Sequence, residues 1–391
     1  MCPICEGRDI KGLIRLDSVP TFCNMLYTSK KKALEAGKGS IHLFSCHTCG
    51  YVFNKNFDPD GMNYSQEYEN SLFFSPHFKE YSLTLAKRLI DAHDLRSKNI
   101  IEIGCGKGDF LKMLCDIGGN KGVGFDPSFE KERIQEIGKD DSEISVVRDY
   151  YSEKYAHYTA DLIVCRQVLE HIADPKTLTD MVQSAASHQE GTVFFFEVPN
   201  FMYILRDMGI WDLIYEHCGY YTKSSLAYLF CSSELLPINV QETFGGQYIS
   251  IEAHRSSDKQ LLDSVWKKYS NDELLSNFEE FSKHYQNKLS KWKAEIEQMK
   301  SSDSRAVVWG GGSKGVTFLN VLNIEDQIEY VVDVNPHKQN KFIPGTGQQI
   351  VSPDFLRELQ PDTVIVMNPN YADEIKKAVR DIGLHSKLMT A

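Results

Sequence analysis

The chain is predicted to be an α/β protein with two parallel-sheet units, a small cysteine-rich module ahead of them and a helical connector between them. Three observations lead there. Strand-like runs pass through glycine-rich turns into helical patterns twice, around residues 99–114 and 305–320. Two C-x-x-C pairs, Cys2/Cys5 and Cys46/Cys49, stand in the first fifty residues. Residues 257–302 form a polar stretch without Pro or Gly. In it Leu274, Phe278, Phe281, Tyr285, Leu289, Trp292, Ile296 and Met299 recur at three- and four-residue steps, the mark of an amphipathic helix.

Composition narrows the classes. The 391 residues are 42% hydrophobic and 25% charged, with a formal charge of −11. That balance argues against nucleic acid as a partner, since displacing counterions from phosphates takes clustered Lys and Arg. No apolar run approaches the ~18–20 residues that span a bilayer, so no membrane contact is expected. The start lacks the apolar stretch of a signal peptide, so a cytoplasmic location is expected. Ten cysteines in so long a chain do not suggest a disulfide scaffold.

The paired cysteines come first in chain order. Each C-x-x-C offers two thiolates from one tight turn, and two such turns make a tetrahedral Zn2+ site. Cys2, Cys5, Cys46 and Cys49 are the expected ligands, with His42, His47 and Cys23 as substitutes. The gap between the pairs exceeds the usual ribbon spacing of about 15–20 residues, so an insertion lies between the knuckles. Four sulfurs leave no place for water, which makes the site structural. The other six cysteines read as small buried hydrophobes.

The first glycine turn comes next. An apolar run ending at Ile103 leads into Gly104, Gly106 and Gly108, then a helical pattern. A strand, a glycine turn and a helix N-terminus let backbone approach a ligand closely. The following strand pattern ends in Asp126, where an acid can reach ribose hydroxyls. A dinucleotide and an adenosyl cofactor both fit so far. Glu102, two residues before the first glycine, would repel a pyrophosphate but could anchor a cationic cofactor. The spacing is G-x-G-x-G, not G-x-G-x-x-G. Further on, Val168, Leu169, Glu170, His171 and Ile172 precede Asp174 and Pro175.

With these residues in place, the sequence resembles the class I methyltransferases that use S-adenosylmethionine (SAM). The resemblance implies a Rossmann-like core in which Gly104, Gly106 and Gly108 line the methionine and ribose. It implies Asp126 on the ribose, Asp149 near the adenine and Gln167 beside the cofactor. Glu170 and His171 are read as structural or cofactor-adjacent.

Beyond the fifth strand pattern, Tyr215, Glu216, His217, Tyr220 and Tyr221 put an acid, an imidazole and three phenols into seven residues. An imidazole suits general-base work near neutral pH, with acids and phenols setting its orientation. Adjacent Glu216 and His217 would point to opposite faces of a strand. Nearly the whole chain resembles the three-domain C-methyltransferases that act on nucleotide-linked deoxysugars. The features that carry this are the C-x-x-C pairs, the SAM motifs, the Glu216-His217 segment, the Gly245-Gly246 turn and the glycine-rich C-terminal part. The resemblance implies a base at His217 supported by Glu216, Tyr215 and Tyr220, with tyrosine hydroxyls stabilising an enolate oxygen. It implies Tyr64 or Tyr68 over the cofactor, and Tyr221, Gly245, Gly246 and Lys314 toward a nucleotide sugar substrate. Alternatives are O- or N-methylation of another small molecule.

The second turn, Gly310, Gly312 and Gly315, fits G-x-G-x-x-G, with Asp333 after the next strand pattern. Locally it is the better dinucleotide fingerprint. Binding of a diphosphate beside Lys314, a purely structural role, and NAD binding are the three readings. Lys338 and Lys341 are further cations for an anionic substrate. The expected units are a zinc-binding module (1–60), a methyltransferase core with helical lead-in (61–255), a connector (256–302) and a second, C-terminal Rossmann-like domain (303–391).

Overall fold

The computed structural model describes residues 1–62, 67–130, 143–186, 189, 191–269 and 273–391. Apolar strand segments, the central ones buried along most of their length, build two parallel-strand systems. The first contains β4 (Asn99–Ile103), β5 (Lys121–Phe125), β6 (Ile144–Val147), β7 (Leu162–Arg166) and β8 (Val193–Pro199), extended by β10 (Leu235–Thr243) and β11 (Tyr248–Arg255). The strand order is β10-β11-β8-β7-β4-β5-β6, and β11 runs antiparallel to both of its neighbours. Helices Pro76–His93 and Asp109–Gly118 cover one face with Leu85, Leu89, Phe110 and Leu114. Phe194, Phe196, Leu226 and Phe230 fill the other.

The second system holds β12 (Ala306–Trp309), β13 (Tyr330–Val332), β14 (Gln349–Val351), β15 (Thr363–Val366) and β16 (Lys387–Thr390). It is all parallel, in the order β14-β13-β12-β15-β16. In each system the order reverses beside the strand that carries the glycine turn, at β4/β7 and at β12/β15. Open sheets of this kind bind ligands at such switch points.

A third, antiparallel sheet joins β1 (Ile10–Pro20), β2 (Lys38–Cys46) and β3 (Val52–Asn54) to β9 (Gly219–Tyr220). The last strand comes from the segment that follows His217, so the cysteine-rich module is completed by residues far along the chain. The predicted single connector helix is two helices, Lys259–Tyr269 and Glu273–Ser301. The longer one buries Phe278, Phe281, Tyr285, Trp292, Ile296 and Met299 in a cluster shared with Ile41 and Leu43 of β2 and with Phe318 and Leu319 of the C-terminal part. Each large apolar side chain buried there stabilises by roughly 1.5–3 kcal/mol.

Candidate active site

Both switch points open onto one cleft of about 350 Å3. Glu102, Gly106, Glu170 and His217 approach it from the first system and its loops, and Gly312 and Lys314 from the second.

On the cofactor side, Gly104, Gly106 and Gly108 have φ of 69°, 56° and 86°. A Cβ on Gly104 would fall 2.1 Å from Val168, whereas one on Gly106 or Gly108 would meet nothing within 4 Å. The turn therefore needs glycine and leaves open space above two of its members. Glu102 is buried, and its Oε2 has no hydrogen-bond partner. Burial pushes its carboxyl up to about 8, against the pull of the Arg166 guanidinium. An acid with one oxygen unpartnered, beside an open glycine cradle, fits a ligand with a cationic head, as the amino acid end of SAM has. Gln167 lines the same space with φ of 55°.

Asp126 and Asp149 are placed differently from the expectation. Asp126 Oδ2 accepts from the Gly106 N–H at 2.8 Å and Oδ1 from the Ser128 N–H and hydroxyl at 2.8 and 2.6 Å, so the carboxylate braces the glycine turn. Asp149 is bound by Lys154, the Tyr155 hydroxyl and the Tyr150 N–H, and neither acid lines the cleft. Tyr64 lies outside the described residues. Tyr68 lines the cleft and hydrogen-bonds Glu216.

His217 lines the cleft. It is buried, its Nδ1 has no partner, and the Asp212 backbone carbonyl is its hydrogen-bond acceptor. Burial, then the neighbouring His171 and Lys314, hold it well below the usual histidine range, so the ring is neutral. A neutral imidazole with a free nitrogen is competent to take a proton.

The residues expected to support His217 are turned elsewhere. Glu216 does not line the cleft, and its Oε2 accepts from the Cys23 N–H at 2.8 Å. The Tyr215 hydroxyl accepts from the Asp58 N–H at 3.0 Å. The Tyr220 hydroxyl bridges the Ile214 N–H and carbonyl at 3.2 and 3.1 Å. The Tyr221 hydroxyl donates to the Leu169 carbonyl at 3.3 Å. None of these four lines the cleft. Tyr221 therefore holds the backbone. Two further bonds complete the stitch between loops: His171 Nδ1 to the Glu216 carbonyl at 3.0 Å, and the Cys218 thiol to the Glu170 carbonyl at 3.4 Å.

Gly245 and Gly246, with φ of 65° and 82°, turn β10 into β11. A Cβ on Gly245 would fall 2.4 Å from Asn370 Oδ1. Asn370 donates to the Phe244 carbonyl at 2.7 Å, and Asn368 donates to Gln247 Oε1 at 2.9 Å. The glycine pair thus lets the two sheet systems latch, and it is Gln247 and Tyr248 after it that line the cleft. Neither Asn368 nor Gln247 is singled out as a site residue by the sequence; adjacency to the Gly pair was the available signal for Gln247 alone. Lys314 faces the cleft in an ion pair with Asp212. Lys338 is buried against Asn24 and the Gly311 carbonyl at 3.2 and 3.4 Å. Asp333 accepts from the Gly311 N–H at 2.9 Å, bracing the second turn as Asp126 braces the first.

At the far end, the sulfurs of Cys2, Cys5, Cys46 and Cys49 all lie within 4.8 Å of one another. Two of the separations are 3.6 and 3.4 Å. A tetrahedral site with Zn–S of about 2.3 Å has edges of about 3.8 Å, so the four thiols fit that metal. Among the described residues no helix is long and apolar enough to cross a membrane.

A family model described as methyltransferase domain matches residues 77–234, and one described as C-methyltransferase C-terminal domain matches residues 243–386. C-methyltransferase NovU of Streptomyces niveus is 25% identical over 289 residues, 71% of this chain and 67% of NovU. Among solved structures, an O-methyltransferase family protein from Burkholderia thailandensis is 12% identical with a TM-score of 0.36, over 46% of this chain and 59% of that one. Magnesium protoporphyrin IX methyltransferase (ChlM) of Synechocystis PCC 6803, with bound SAH, is 15% identical with a TM-score of 0.36, over 46% of this chain and 84% of that one.

Proposed function

Because this chain is a SAM-dependent methyltransferase that carries the C-terminal domain of C-methyltransferases, we propose that it methylates a carbon next to a keto group of a nucleotide-linked sugar. His217 removes the proton from that carbon. The observation that carries this reading is the neutral His217 ring, with its unpartnered Nδ1, in a cleft shared by both glycine turns. Glu102, Gly104, Gly106 and Gln167 would hold SAM, which when bound supplies an electrophilic methyl group. A ketone makes the neighbouring C–H acidic enough for an imidazole to remove, and a closed cleft keeps water from the carbanion. The second turn and Lys314 would face the nucleotide's diphosphate, which then competes with Asp212 for the ammonium. Cys2, Cys5, Cys46 and Cys49 would hold a structural zinc ion.

The test is incubation with [13C-methyl]SAM and a panel of nucleoside-diphosphate keto-deoxyhexoses, with the labelled methyl located by NMR. A new carbon–carbon bond beside the carbonyl is expected, with turnover lost in His217→Ala and SAM affinity retained. Label on oxygen or nitrogen refutes C-methylation, and full turnover in His217→Ala refutes the base.

A further inference from the structure

The tyrosine hydroxyls of the 215–221 segment are committed to backbone groups, which leaves open what polarises the acceptor's carbonyl. Another group stands ready. Glu170 is 1% exposed, lines the cleft, and its Oε2 has no hydrogen-bond partner. Its carboxyl, one nitrogen of His171 and one of His217 lie within 4.8 Å of one another. The backbone that carries it, Leu169–His171, is tied to the His217 loop by the three bonds described above. A buried carboxyl oxygen without a partner costs stability, and here the carboxyl stands within 4.8 Å of one nitrogen of the base.

We propose that Glu170 is the acid of the reaction and donates its proton to the acceptor's carbonyl oxygen while His217 takes the proton from the adjacent carbon. The inference rests on the ketone reading above. His217 Nδ1 forms the new N–H bond as the C–H bond breaks. That pair becomes the C=C bond of an enol, and the carbonyl π pair takes the Glu170 proton, leaving a carboxylate. When the enol reverts to ketone the proton returns to Glu170. A donor that is already neutral avoids placing a full negative charge on oxygen in a dry cleft.

The surroundings keep the acid protonated. Burial, with the Glu197 charge adding, pushes Glu170 up to about 8. Facing it are Cys165 of β7, Cys218 and Tyr221 of the loop, His171 and His217. The thiols and the phenol are raised, and both imidazoles are lowered, His171 to about 4 by burial. Near neutral pH all five are therefore uncharged, and Glu197, which acts on Glu170, is itself paired with Arg166.

The test separates enol formation from methyl transfer. A nucleoside-diphosphate 4-keto-6-deoxyhexose is incubated in D2O with S-adenosylhomocysteine, and loss of protons beside the carbonyl is followed by NMR. Wild type is expected to exchange them, at a rate that falls above about pH 8 as the acid ionises. Glu170→Gln, which keeps the volume but cannot yield a proton, is expected to slow exchange by about 10²-fold and to lose the high-pH fall, with melting temperature and SAM affinity unchanged. Infrared difference spectra of 13C-glutamate-labelled protein, wild type minus variant, should show one protonated carboxyl at pH 6. Exchange in Glu170→Gln at the wild-type rate overturns the proposal. So does a carboxylate band at pH 6, or stoichiometric Mn2+ binding that the variant loses, which would make the trio a cation site. If wild type exchanges no proton from any keto probe, the acceptor reading fails, and the infrared band alone decides the state of Glu170.

Discussion

Glu102 gives the sharpest quantitative test of the cofactor side. Its carboxyl sits at about 8 in the ligand-free protein, because burial outweighs the attraction of Arg166. A cationic SAM head group favours the ionised form, so at pH 6 binding must first remove a proton. Two pH units of opposed ionisation cost about 2.7 kcal/mol, at 1.36 kcal/mol per unit. SAM affinity should therefore rise about 50-fold between pH 6 and pH 8, where half of the acid is ionised, with close to one proton released per SAM at pH 6. Titration calorimetry without acceptor, in two buffers of unlike ionisation heat, reads both quantities. Glu102→Gln should bind more weakly and with no such slope. The sign for stability is opposite: a raised carboxyl makes the free protein lose stability as pH climbs from about 4.3 toward 8. A wild-type affinity flat from pH 6 to 8, with no buffer-dependent heat, refutes the argument; a slope that survives in Glu102→Gln assigns it to another group.

Other parts of the molecule give independent checks. Tyr221→Phe removes the phenol that binds the Leu169 carbonyl and should cost about 1–2 kcal/mol in urea unfolding with acceptor KM unchanged; a changed KM at wild-type stability would return Tyr221 to substrate binding. Cys46→Ser should abolish bound zinc measured by mass spectrometry and lower the melting temperature, and equal zinc in variant and wild type would show that Cys46 is no ligand. Burial opposes ionisation of Glu252, but hydrogen bonds from His93, Asn239 and Arg88 outweigh it and hold the carboxyl down at about 2. That contribution is present above about pH 4.3 and is lost as pH falls toward 2, so Glu252→Gln should melt earlier than wild type at pH 6 and converge with it near pH 2.

What could be read from the sequence was local chemistry. The first glycine turn, its strand and helix, and the cysteine pairs are each made by residues a few positions apart, and their spacing alone determines what they can bind. The partners of the tyrosines were out of reach for the same reason: Leu169 and Asp58 meet Tyr221 and Tyr215 only after three sheets have assembled. Asp126 and Asp333 follow their turns at ribose-binding distance in sequence, yet both carboxylates close on a backbone N–H of the turn itself. Gly245 looks like a substrate loop until Asn370 arrives from the other system and fills the space a Cβ would need. Glu170 belongs to a motif read as structural or cofactor-adjacent, and only the meeting of two loops sets it beside His217.

The four-stranded sheet has a consequence for how the chain is made. Its first three strands are finished by Asn54, but the edge of β3 stays open until Gly219 and Tyr220 leave the ribosome. The apolar faces of β1 and β2 wait longer, for the helix Glu273–Ser301 and for Phe318. Domains synthesised from the N-terminus normally fold as they emerge. Here residues made early are among the last to find their partners. The two cysteine knuckles, closed within the first fifty residues, are what could hold the nascent sheet in register during that interval, when an exposed strand edge is most open to pairing with a neighbouring chain.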